Sequence, residues 1–428
     1  MKTFFGNTFL IISCLVTINL WILSKNSFSL QNTALLVSQI LALLGFVLLT
    51  DSLILSTRSR FLEKIFGGLD KLYRVHKYIG SLSFVFILNH PMLLLINALP
   101  DFKLASIYTV PGYDLYYNLG VFALYLMLLS FIFMVFIKLP YQLWKVSHQL
   151  LGFSFLLSGI HMLFISSDVS AFLPLKFWMI ANFVAGTVSF IYITFLYEFF
   201  GPKYEYEVTN ISRSLDVINI YLKPIKRKLN FTPGQFVYLS IEGKNPGREI
   251  HPFSISSGPD DPILRISAKV LGDYTLKLSR VIVGSKVHIF GPYGSFGQKF
   301  IEEPAKDAVW IAGGIGITPF LSLLKYFQIN PGIRNVDFYY CYSGSEEAIF
   351  DGEVREMCNK SSEIKYLPWD TSQKSHLTAD LINQSILELK DRIIQICGPE
   401  KMMSDLGEQF IKEGVPLENI VFENFNLL

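Results

Sequence analysis

The sequence predicts a multidomain membrane protein: a six-helix, all-α transmembrane bundle, then a small antiparallel β-barrel, then a parallel α/β domain. Three observations predict this fold class. Residues 1–200 carry only 19 of the 72 Asp, Glu, Lys and Arg side chains, and long apolar runs fill this part. Short alternating runs follow, and strand–helix alternation comes last. We therefore predict domains at residues 1–200, 201–302 and 303–428.

The composition excludes several classes of protein. Hydrophobic residues make up 51% of the 428-residue chain and charged residues 17%, with a mean hydropathy of +0.39. These values are not those of an ordinary soluble protein. A net charge of +2 without a long basic run excludes a nucleic-acid partner. The four cysteines lie far apart without a CxxC pair, which excludes a disulfide framework and a zinc ribbon.

Six apolar stretches approach or reach the roughly 20 residues with which a helix crosses a hydrocarbon core. They are Thr8–Leu23, Thr33–Ile54, Tyr73–Leu95, Tyr116–Ile137, Lys145–Phe164 and Leu175–Phe199. Met1–Ser24 also has features of a cleaved signal peptide. That alternative stays open, and it leaves the remaining topology unchanged.

The orientation of the bundle is predicted from the Lys and Arg residues of its short loops. With a cytoplasmic N-terminus, nine of these residues lie on the inner side and three, Lys25, Lys103 and Lys176, lie on the outer side. The bias favours this orientation. Six spans then place the C-terminus in the cytoplasm as well, and we expect a multi-pass protein of a bacterial plasma membrane.

Four of the seven histidines lie in two of the predicted spans. His76 and His90 are 14 residues apart in the third span, and His148 and His161 are 13 apart in the fifth. At 1.5 Å per residue these separations are about 20 Å along the axis. Because imidazole is a standard axial ligand of haem iron, the pattern indicates two stacked b-type haems. His76 and His148 would hold the inner haem, and His90 and His161 the outer one.

Two alternative roles for these histidines stay open. They could be hydrogen-bonded core residues or part of a proton relay, although a relay does not account for the second half of the chain. The helical phase also differs between the pairs. A step of 14 residues returns to within about 40° of the starting face, whereas 13 residues leave an offset of about 140°. The fifth span therefore needs either different histidine rotamers or a local distortion, which Gly152 and Gly159 between its histidines could permit.

The predicted barrel contains two segments that suit a flavin. In His251-Pro252-Phe253-Ser254, an aromatic ring could pack on the isoalloxazine and a hydroxyl could bond a ring heteroatom. Gly272-Asp273-Tyr274-Thr275 opens a predicted helix, where backbone amides and the Thr275 hydroxyl could hold a pyrophosphate. Either segment alone could be an ordinary strand or turn.

The predicted α/β domain contains two segments that suit a dinucleotide. Strand 308–312 runs into Gly313-Gly314-Ile315-Gly316-Ile317-Thr318-Pro319, where glycines permit close approach to a phosphate and proline suits an early helical position. Cys397-Gly398-Pro399 ends a later strand, at the edge where open parallel sheets bind ligands. We expect Cys397 to face the nicotinamide, although a buried structural cysteine is the simpler alternative.

Taken together, these motifs resemble the NADPH oxidase and ferric reductase superfamily along nearly the whole chain. The resemblance implies a bis-haem membrane domain joined to a ferredoxin-reductase-like module for FAD and NADPH or NADH. It matches the family's paired histidines to His76/His90 and His148/His161, its HPFT or HPFS motif to His251–Ser254, and its GDWT motif to Gly272–Thr275. It also matches the nucleotide motif to Gly313–Pro319 and the CGP motif to Cys397–Pro399.

Two further features of the last predicted domain bear on the chemistry that the resemblance implies. The family closes on an aromatic residue that stacks on the flavin, and Phe425 is the candidate here, followed by three extra residues. Many relatives carry an arginine for the 2′-phosphate of NADPH after the second nucleotide-domain strand. Here the stretch reads Cys341-Tyr342-Ser343-Gly344 and then Glu346-Glu347, which favours NADH or the use of both nucleotides.

The expected function is transmembrane electron transfer from cytoplasmic NAD(P)H to an acceptor at the outer face. Dioxygen, giving superoxide, is the leading acceptor, and chelated ferric iron is the alternative. The outer loops carry only scattered acids, which favours oxygen. Two further hypotheses stay open: a transporter or receptor with a non-catalytic reductase domain, and a subunit that donates electrons to a partner. The lipid bilayer is the one expected partner besides the acceptor, and protein partners stay unknown.

Overall fold

The computed structural model describes residues 2–25, 33–242, 249–331, 334–386 and 388–423. The chain divides into two compact units, Met1–Gly201 and Pro202–Leu428. The first unit is helical, and the second contains both β-sheets.

Within the described residues, the first unit has six helices that are long and apolar enough to cross a membrane. Its helices are α1 (Lys2–Leu23), α2 (Thr33–Leu55), α3 (Arg60–Phe66), α4 (Leu69–Ala98), α5 (Phe102–Ile107), α6 (Leu115–Val135), α7 (Tyr141–Phe164), α8 (Asp168–Ala171), α9 (Leu173–Ile191) and α10 (Tyr197–Phe200). The six predicted spans are therefore confirmed as helices. The sixth is not uniform, since a π-helical turn at Tyr192–Leu196 separates α9 from α10.

Two helices of the first unit, α5 and α6, begin at aspartates that cap them. The Asp114 carboxylate accepts hydrogen bonds from the backbone N–H groups of Tyr116 and Tyr117 and so begins α6. Asp101 caps α5 in the same way. These caps satisfy N–H groups that have no partner inside the helix.

The buried part of the helical unit lies around α2. Phe46 of α2 stacks on Phe155 of α7, with ring centres 4.6 Å apart. Gly152 and Gly159 of α7 face α9, where a Cβ atom would lie 2.0 Å from Phe190 and 2.3 Å from Phe183. Of the two alternatives for this span, a break in the helix does not occur, because α7 is one continuous helix. Both glycines serve close packing.

The N-terminal lobe of the second unit is a curled, six-stranded antiparallel sheet. Its strands are β1 (Lys203–Ser214), β2 (Val217–Pro224), β3 (Phe236–Ile241), β4 (His251–Ser254), β5 (Leu264–Lys269) and β6 (Lys286–Tyr293), in the order β4-β3-β6-β1-β2-β5. The edges β4 and β5 meet through a single bridge, Ile255 to Ile266. The predicted barrel is thus a half-barrel. The helix α11 (Asp273–Leu278) precedes β6, and α12 (Gln298–Glu302) follows it.

The C-terminal lobe is a five-stranded parallel sheet covered by helices. Its strands are β7 (Ala308–Gly313), β8 (Val336–Tyr342), β9 (Ile364–Asp370), β10 (Ile393–Cys397) and β11 (Ile420–Glu423), in the order β11-β10-β7-β8-β9. Its helices are α13 (Thr318–Ile329), α14 (Asp351–Cys358), α15 (Ala379–Ser385) and α16 (Glu400–Lys412). Strand β7 is the central strand of this sheet and is fully buried. Its carboxyl end therefore lies at the middle of the edge where open parallel sheets bind ligands.

Candidate functional site

The two histidines predicted for the inner level come together. The rings of His76 on α4 and His148 on α7 have centres 6.1 Å apart. Two imidazole nitrogens that bind one metal ion from opposite sides, at about 2 Å each, lie about 4 Å apart. The centre of each ring lies about 1 Å further from the metal, so the two ring centres are about 6 Å apart. The observed separation is compatible with that arrangement. His90 on α4 and His161 on α7 are also neighbours.

The α4 histidines are held by serines of α2. The Nδ1 atom of His76 lies 2.9 Å from the Ser52 Oγ atom and 2.8 Å from the Ser52 backbone oxygen. The Nδ1 atom of His90 lies 2.8 Å from the Ser38 Oγ atom and 3.1 Å from the Ser38 backbone oxygen. The same contacts therefore occur at both levels.

The α7 histidines are held by α6 through other groups. The Nδ1 atom of His161 lies 2.7 Å from the backbone oxygen of Tyr116, and the Nδ1 atom of His148 lies 3.0 Å from the Met134 sulfur. Trp144 stacks on the His148 ring at 5.3 Å. Gly120 makes room for His161, because a Cβ atom there would lie 2.8 Å from the His161 ring.

This arrangement fits haem ligation. All four Nδ1 atoms face protein partners, and among the described residues none of the four Nε2 atoms has a hydrogen-bond partner. Histidines that bind a metal characteristically use one ring nitrogen for the metal and give the other to an oxygen acceptor. His76, His90 and His161 follow this pattern, whereas the Nδ1 atom of His148 faces the Met134 sulfur. In the part of the chain that the structure describes, no group of three or more His, Cys, Asp and Glu side chains gathers as a metal site.

In the second unit, His251-Pro252-Phe253-Ser254 forms the edge strand β4, which pairs with β3. The His251 ring stacks on Tyr274 at 3.7 Å, and its Nε2 atom lies 3.1 Å from a Glu249 oxygen. Glu249 also bonds Lys277 at 3.1 Å. Burial, with Glu249 nearby, raises the pKa of Tyr274, so its hydroxyl stays protonated. The two predicted flavin segments thus lie side by side.

The segment Gly272–Thr275 begins α11, as predicted. The Thr275 hydroxyl oxygen accepts hydrogen bonds from the backbone N–H groups of Leu271 and Gly272, at 2.9 and 3.0 Å. Thr275 therefore closes the turn before the helix. A Cβ atom at Gly272 would meet nothing within 4 Å, so this side of the turn is open.

The two predicted nucleotide segments meet at the carboxyl ends of β7 and β10. Cys397 is in register with Ala312 across the parallel pair. A Cβ atom at Gly316 would lie 2.3 Å from the Cys397 backbone oxygen, and one at Gly398 would lie 3.0 Å from the Gly313 Cα atom. Gly314 has φ +53°, and Pro319 lies at the start of α13, after Thr318. Pro399 caps α16, so both loops lead into helices at one sheet edge.

The thiol of Cys397 is fully buried. Burial raises its pKa well above the usual value, and nearby Glu423 adds to the rise, so the side chain is a neutral thiol. Its neighbour in β11 is Glu423, in register at the same sheet edge. Phe425, the predicted stacking residue, lies outside the described residues.

The turn after β8 is held by carboxylates. Glu347 accepts a hydrogen bond from the Ser343 N–H group at 3.3 Å and lies 3.5 Å from the Lys269 ammonium group. Asp370 accepts from the Gly344 N–H group at 2.9 Å. Hydrogen bonds from Ser372 and Gly344 hold the pKa of Asp370 below its usual range. Glu346 is exposed beside them, so the turn that could carry a 2′-phosphate group is acidic.

The sequence interpretation missed Ser38, Ser52 and Gly120. A signal for the serines was present, since they are 14 residues apart on α2, as His76 and His90 are on α4. Gly120 offered no comparable signal, because its role depends on a ring 41 positions away along the chain.

Three family models match consecutive parts of the chain. Ferric reductase like transmembrane component matches residues 41–159, FAD-binding domain matches residues 203–314, and Oxidoreductase NAD-binding domain matches residues 310–407. The chain therefore contains a ferric-reductase-like transmembrane domain, an FAD-binding domain and an NAD-binding domain of oxidoreductases.

Curated relatives match the second half of the chain. Flavohemoprotein A of Dictyostelium discoideum is 28% identical over 239 residues, covering 51% of this chain and 59% of its own. The reductase component of propane 2-monooxygenase from Mycolicibacterium smegmatis is 25% identical, covering 50% of this chain and 64% of its own. The chain thus spans less than two thirds of the length of either relative.

A solved structure of similar fold is the flavohemoglobin from Malassezia yamatoensis with bound FAD and heme. It has a TM-score of 0.53 at 17% identity, and the match covers 92% of this chain and 97% of that one. At this identity the likeness concerns the fold alone.

Proposed function

We propose that this chain, which has the domain architecture of the NADPH oxidase and ferric reductase superfamily, is an electron-transfer enzyme. It carries electrons from cytoplasmic NADH or NADPH to dioxygen at the outer face of a membrane. The product is superoxide. Each nicotinamide supplies two electrons, so two molecules of dioxygen are reduced for each one oxidised.

The observation that carries this proposal is the pair of histidine levels. His76 faces His148, His90 neighbours His161, and every Nδ1 atom is engaged while the Nε2 atoms have no partner among the described residues. We assign one b-type haem to each pair. Bound FAD and haem supply the conversion of a two-electron hydride into single electrons.

The residues of the reductase half have the following proposed roles. His251, Pro252, Phe253 and Ser254 form the flavin edge, and Gly272 and Thr275 shape the turn at its pyrophosphate. Gly313, Gly314, Gly316, Thr318 and Pro319 hold the nucleotide together with Gly398 and Pro399. Cys397 and Phe425 orient the nicotinamide and the flavin. In this proposal the chain's residues bind and orient, and no general base is needed.

Dioxygen is favoured as acceptor because the predicted outer loops carry only scattered acids, which do not suit a ferric chelate. His76, His148, His90 and His161 would hold the two haems, which would supply single electrons to the acceptor. Chelated ferric iron is the second candidate, since the model that matches residues 41–159 is named for ferric reductases. The N- and C-termini are assigned to the cytoplasm on the basis of the Lys and Arg bias of the loops.

The deciding experiment uses purified protein in lipid, loaded with FAD and haem. We expect cytochrome c reduction that superoxide dismutase abolishes, and slower reduction of ferric chelates. Faster reduction of ferric chelates without superoxide would assign the second candidate. Absence of haem absorbance together with absence of nicotinamide oxidation would overturn both.

The acidic turn after β8 supports the use of NADH. Rates with NADH and NADPH, measured side by side, are expected to be similar or to favour NADH. A hundredfold preference for NADPH would contradict this part of the proposal.

A further inference from the structure

Resting on the proposed function, we infer that Ser38 and Ser52 are positioning residues for the two α4 histidines. Each serine fixes the tautomer and the ring plane of one haem ligand, so each acts on one haem. Three features support this role: the contacts of the serines, the proton positions that these contacts require, and the register of α2 against α4.

The contacts of the two serines repeat in kind. At the outer level the Ser38 Oγ atom lies 2.8 Å from the His90 Nδ1 atom and 3.0 Å from the His90 backbone oxygen. At the inner level the Ser52 Oγ atom lies 2.9 Å from the His76 Nδ1 atom and 3.5 Å from the His76 backbone oxygen. Both hydroxyls are buried.

These contacts determine where the ring proton lies. A backbone oxygen only accepts hydrogen bonds, so the hydroxyl that faces it is the donor. The serine Oγ atom then accepts from the histidine Nδ1–H group, as does the serine backbone oxygen on the same side. With the proton on Nδ1, the Nε2 atom carries the lone pair that a metal requires.

The register of the two helices makes the repeat possible. A step of fourteen residues along α4, from His76 to His90, is matched by a step of fourteen in the opposite direction along α2, from Ser52 to Ser38. Halfway between them the Ser83 hydroxyl of α4 donates to the Gly45 backbone oxygen of α2 at 2.7 Å. The three contacts recur every seven residues, the spacing at which two helices keep the same faces together.

Ser83 therefore supplies a matched control. It is a buried serine in the same helix pair and the same register, and its hydroxyl donates across to the partner helix without involving a histidine. Its replacement removes one interhelical hydrogen bond and leaves all four imidazoles with their Nδ1 partners.

A hydrogen bond from Nδ1 makes imidazole a more basic ligand, which stabilises ferric iron. In an alanine variant the backbone oxygen at that position still accepts from Nδ1, so the substitution removes one of the two acceptors. We therefore expect Ser38→Ala and Ser52→Ala each to raise the midpoint potential of one haem in proportion to the share that the hydroxyl contributes. The two variants are expected to move different components of the two-step redox titration. Threonine at either position keeps the hydroxyl and is expected to restore the wild-type potential.

The experiment is a potentiometric titration of the haem α-bands in the purified holoprotein, together with the electron paramagnetic resonance g-values of each ferric haem. Ser83→Ala is expected to leave both potentials and all g-values unchanged. If an alanine variant does not accumulate, Ser→Cys at that position keeps the size with a weaker partner, and the expected direction is the same.

Two results would overturn the inference. One is that both potentials stay at wild-type values in Ser38→Ala and Ser52→Ala while both haems are retained. The other is that Ser83→Ala shifts the haem midpoint potentials as much as Ser38→Ala and Ser52→Ala do. Either result leaves the proposed function intact. If the wild-type protein binds no bis-histidine haem, the proposed function fails and the inference fails with it.

Discussion

Gly120 of α6 sits against the ring of a proposed haem ligand. Its missing side chain leaves the space that the His161 ring fills, since a Cβ atom would lie 2.8 Å from that ring. Helix interiors disfavour glycine by about 0.5–1 kcal/mol relative to alanine, so a glycine there needs a packing reason.

We predict that Gly120→Val displaces His161 and removes the outer haem. The pyridine haemochrome assay is expected to fall from two haems to one for each FAD. Gly112→Ala, where a Cβ atom would meet nothing within 4 Å, is the control and should keep both haems. Full haem content in Gly120→Val would contradict the assignment of His161.

Gly316 decides whether the two nucleotide loops can meet. A Cβ atom at this position would lie 2.3 Å from the Cys397 backbone oxygen, so a larger residue pushes the loops apart. We predict that Gly316→Ala raises the KM for NADH by at least about tenfold, equivalent to about 1.4 kcal/mol of binding. The KM for NADH is measured by steady-state kinetics with ferricyanide as the electron acceptor.

The control for that variant is Gly352→Ala in α14. A Cβ atom there would meet nothing within 4 Å, so the KM should stay at the wild-type value. Equal KM values in Gly316→Ala and wild type would show that the nucleotide does not bind where β7 and β10 end.

Between elements, several ion pairs of the described residues join the half-barrel lobe to the α/β lobe, among them Lys269–Glu347, Lys325–Asp261 and Arg265–Glu353. The Arg265 guanidinium of β5 lies 2.8 and 2.9 Å from the two Glu353 oxygens of α14, a bidentate arrangement. Arg265 also donates to the Ser256 backbone oxygen at 3.0 Å. The Arg265 side chain is 9% exposed and that of Glu353 32%, so the pair is partly desolvated.

We predict that Glu353→Gln lowers the free energy of unfolding by about 1–3 kcal/mol, between the values for exposed and buried pairs. Urea denaturation of the holoprotein, followed by flavin fluorescence, measures the change. Glu356→Gln in the same helix breaks an exposed pair with Lys360 and should leave the free energy of unfolding unchanged within error, because solvent screens that pair. Equal losses in the two variants would contradict a specific link between the lobes.

For the molecule as a whole, the orientation in the membrane is the property with the widest consequences. In the proposed orientation, the nucleotide lobes face the cytoplasmic pool of NADH and the outer histidine level faces the proposed acceptor. The Lys and Arg bias of the loops supports it.

We predict that a membrane-impermeant maleimide labels Lys103→Cys in intact cells and labels Lys286→Cys only after lysis. Both positions are exposed, and Cys341, Cys358 and Cys397 are buried, which limits background labelling. Mass spectrometry of the labelled protein gives the result. Labelling of Lys286→Cys in intact cells would reverse the topology.

The sequence alone determined the apolar spans, the order of the lobes and the motifs. These depend on local composition and short spacing, which the chain carries in consecutive residues. The helices α2, α4 and α7 lie where the apolar runs predict them, and His76 and His90 recur on one helix face. The packing role of Gly152 and Gly159 was not predicted, because it depends on how α7 is rotated against α9.

Only the tertiary structure decided which groups hold the imidazoles and where the loops meet. Ser52 and His76 are 24 positions apart, and Gly316 and Cys397 are 81 apart. Such contacts depend on the register and rotation of packed elements, which local periodicity leaves undetermined. The tertiary structure also decided that the antiparallel sheet is a half-barrel. Its edges β4 and β5 meet through one bridge, Ile255 to Ile266, which the strand pattern of the sequence does not specify.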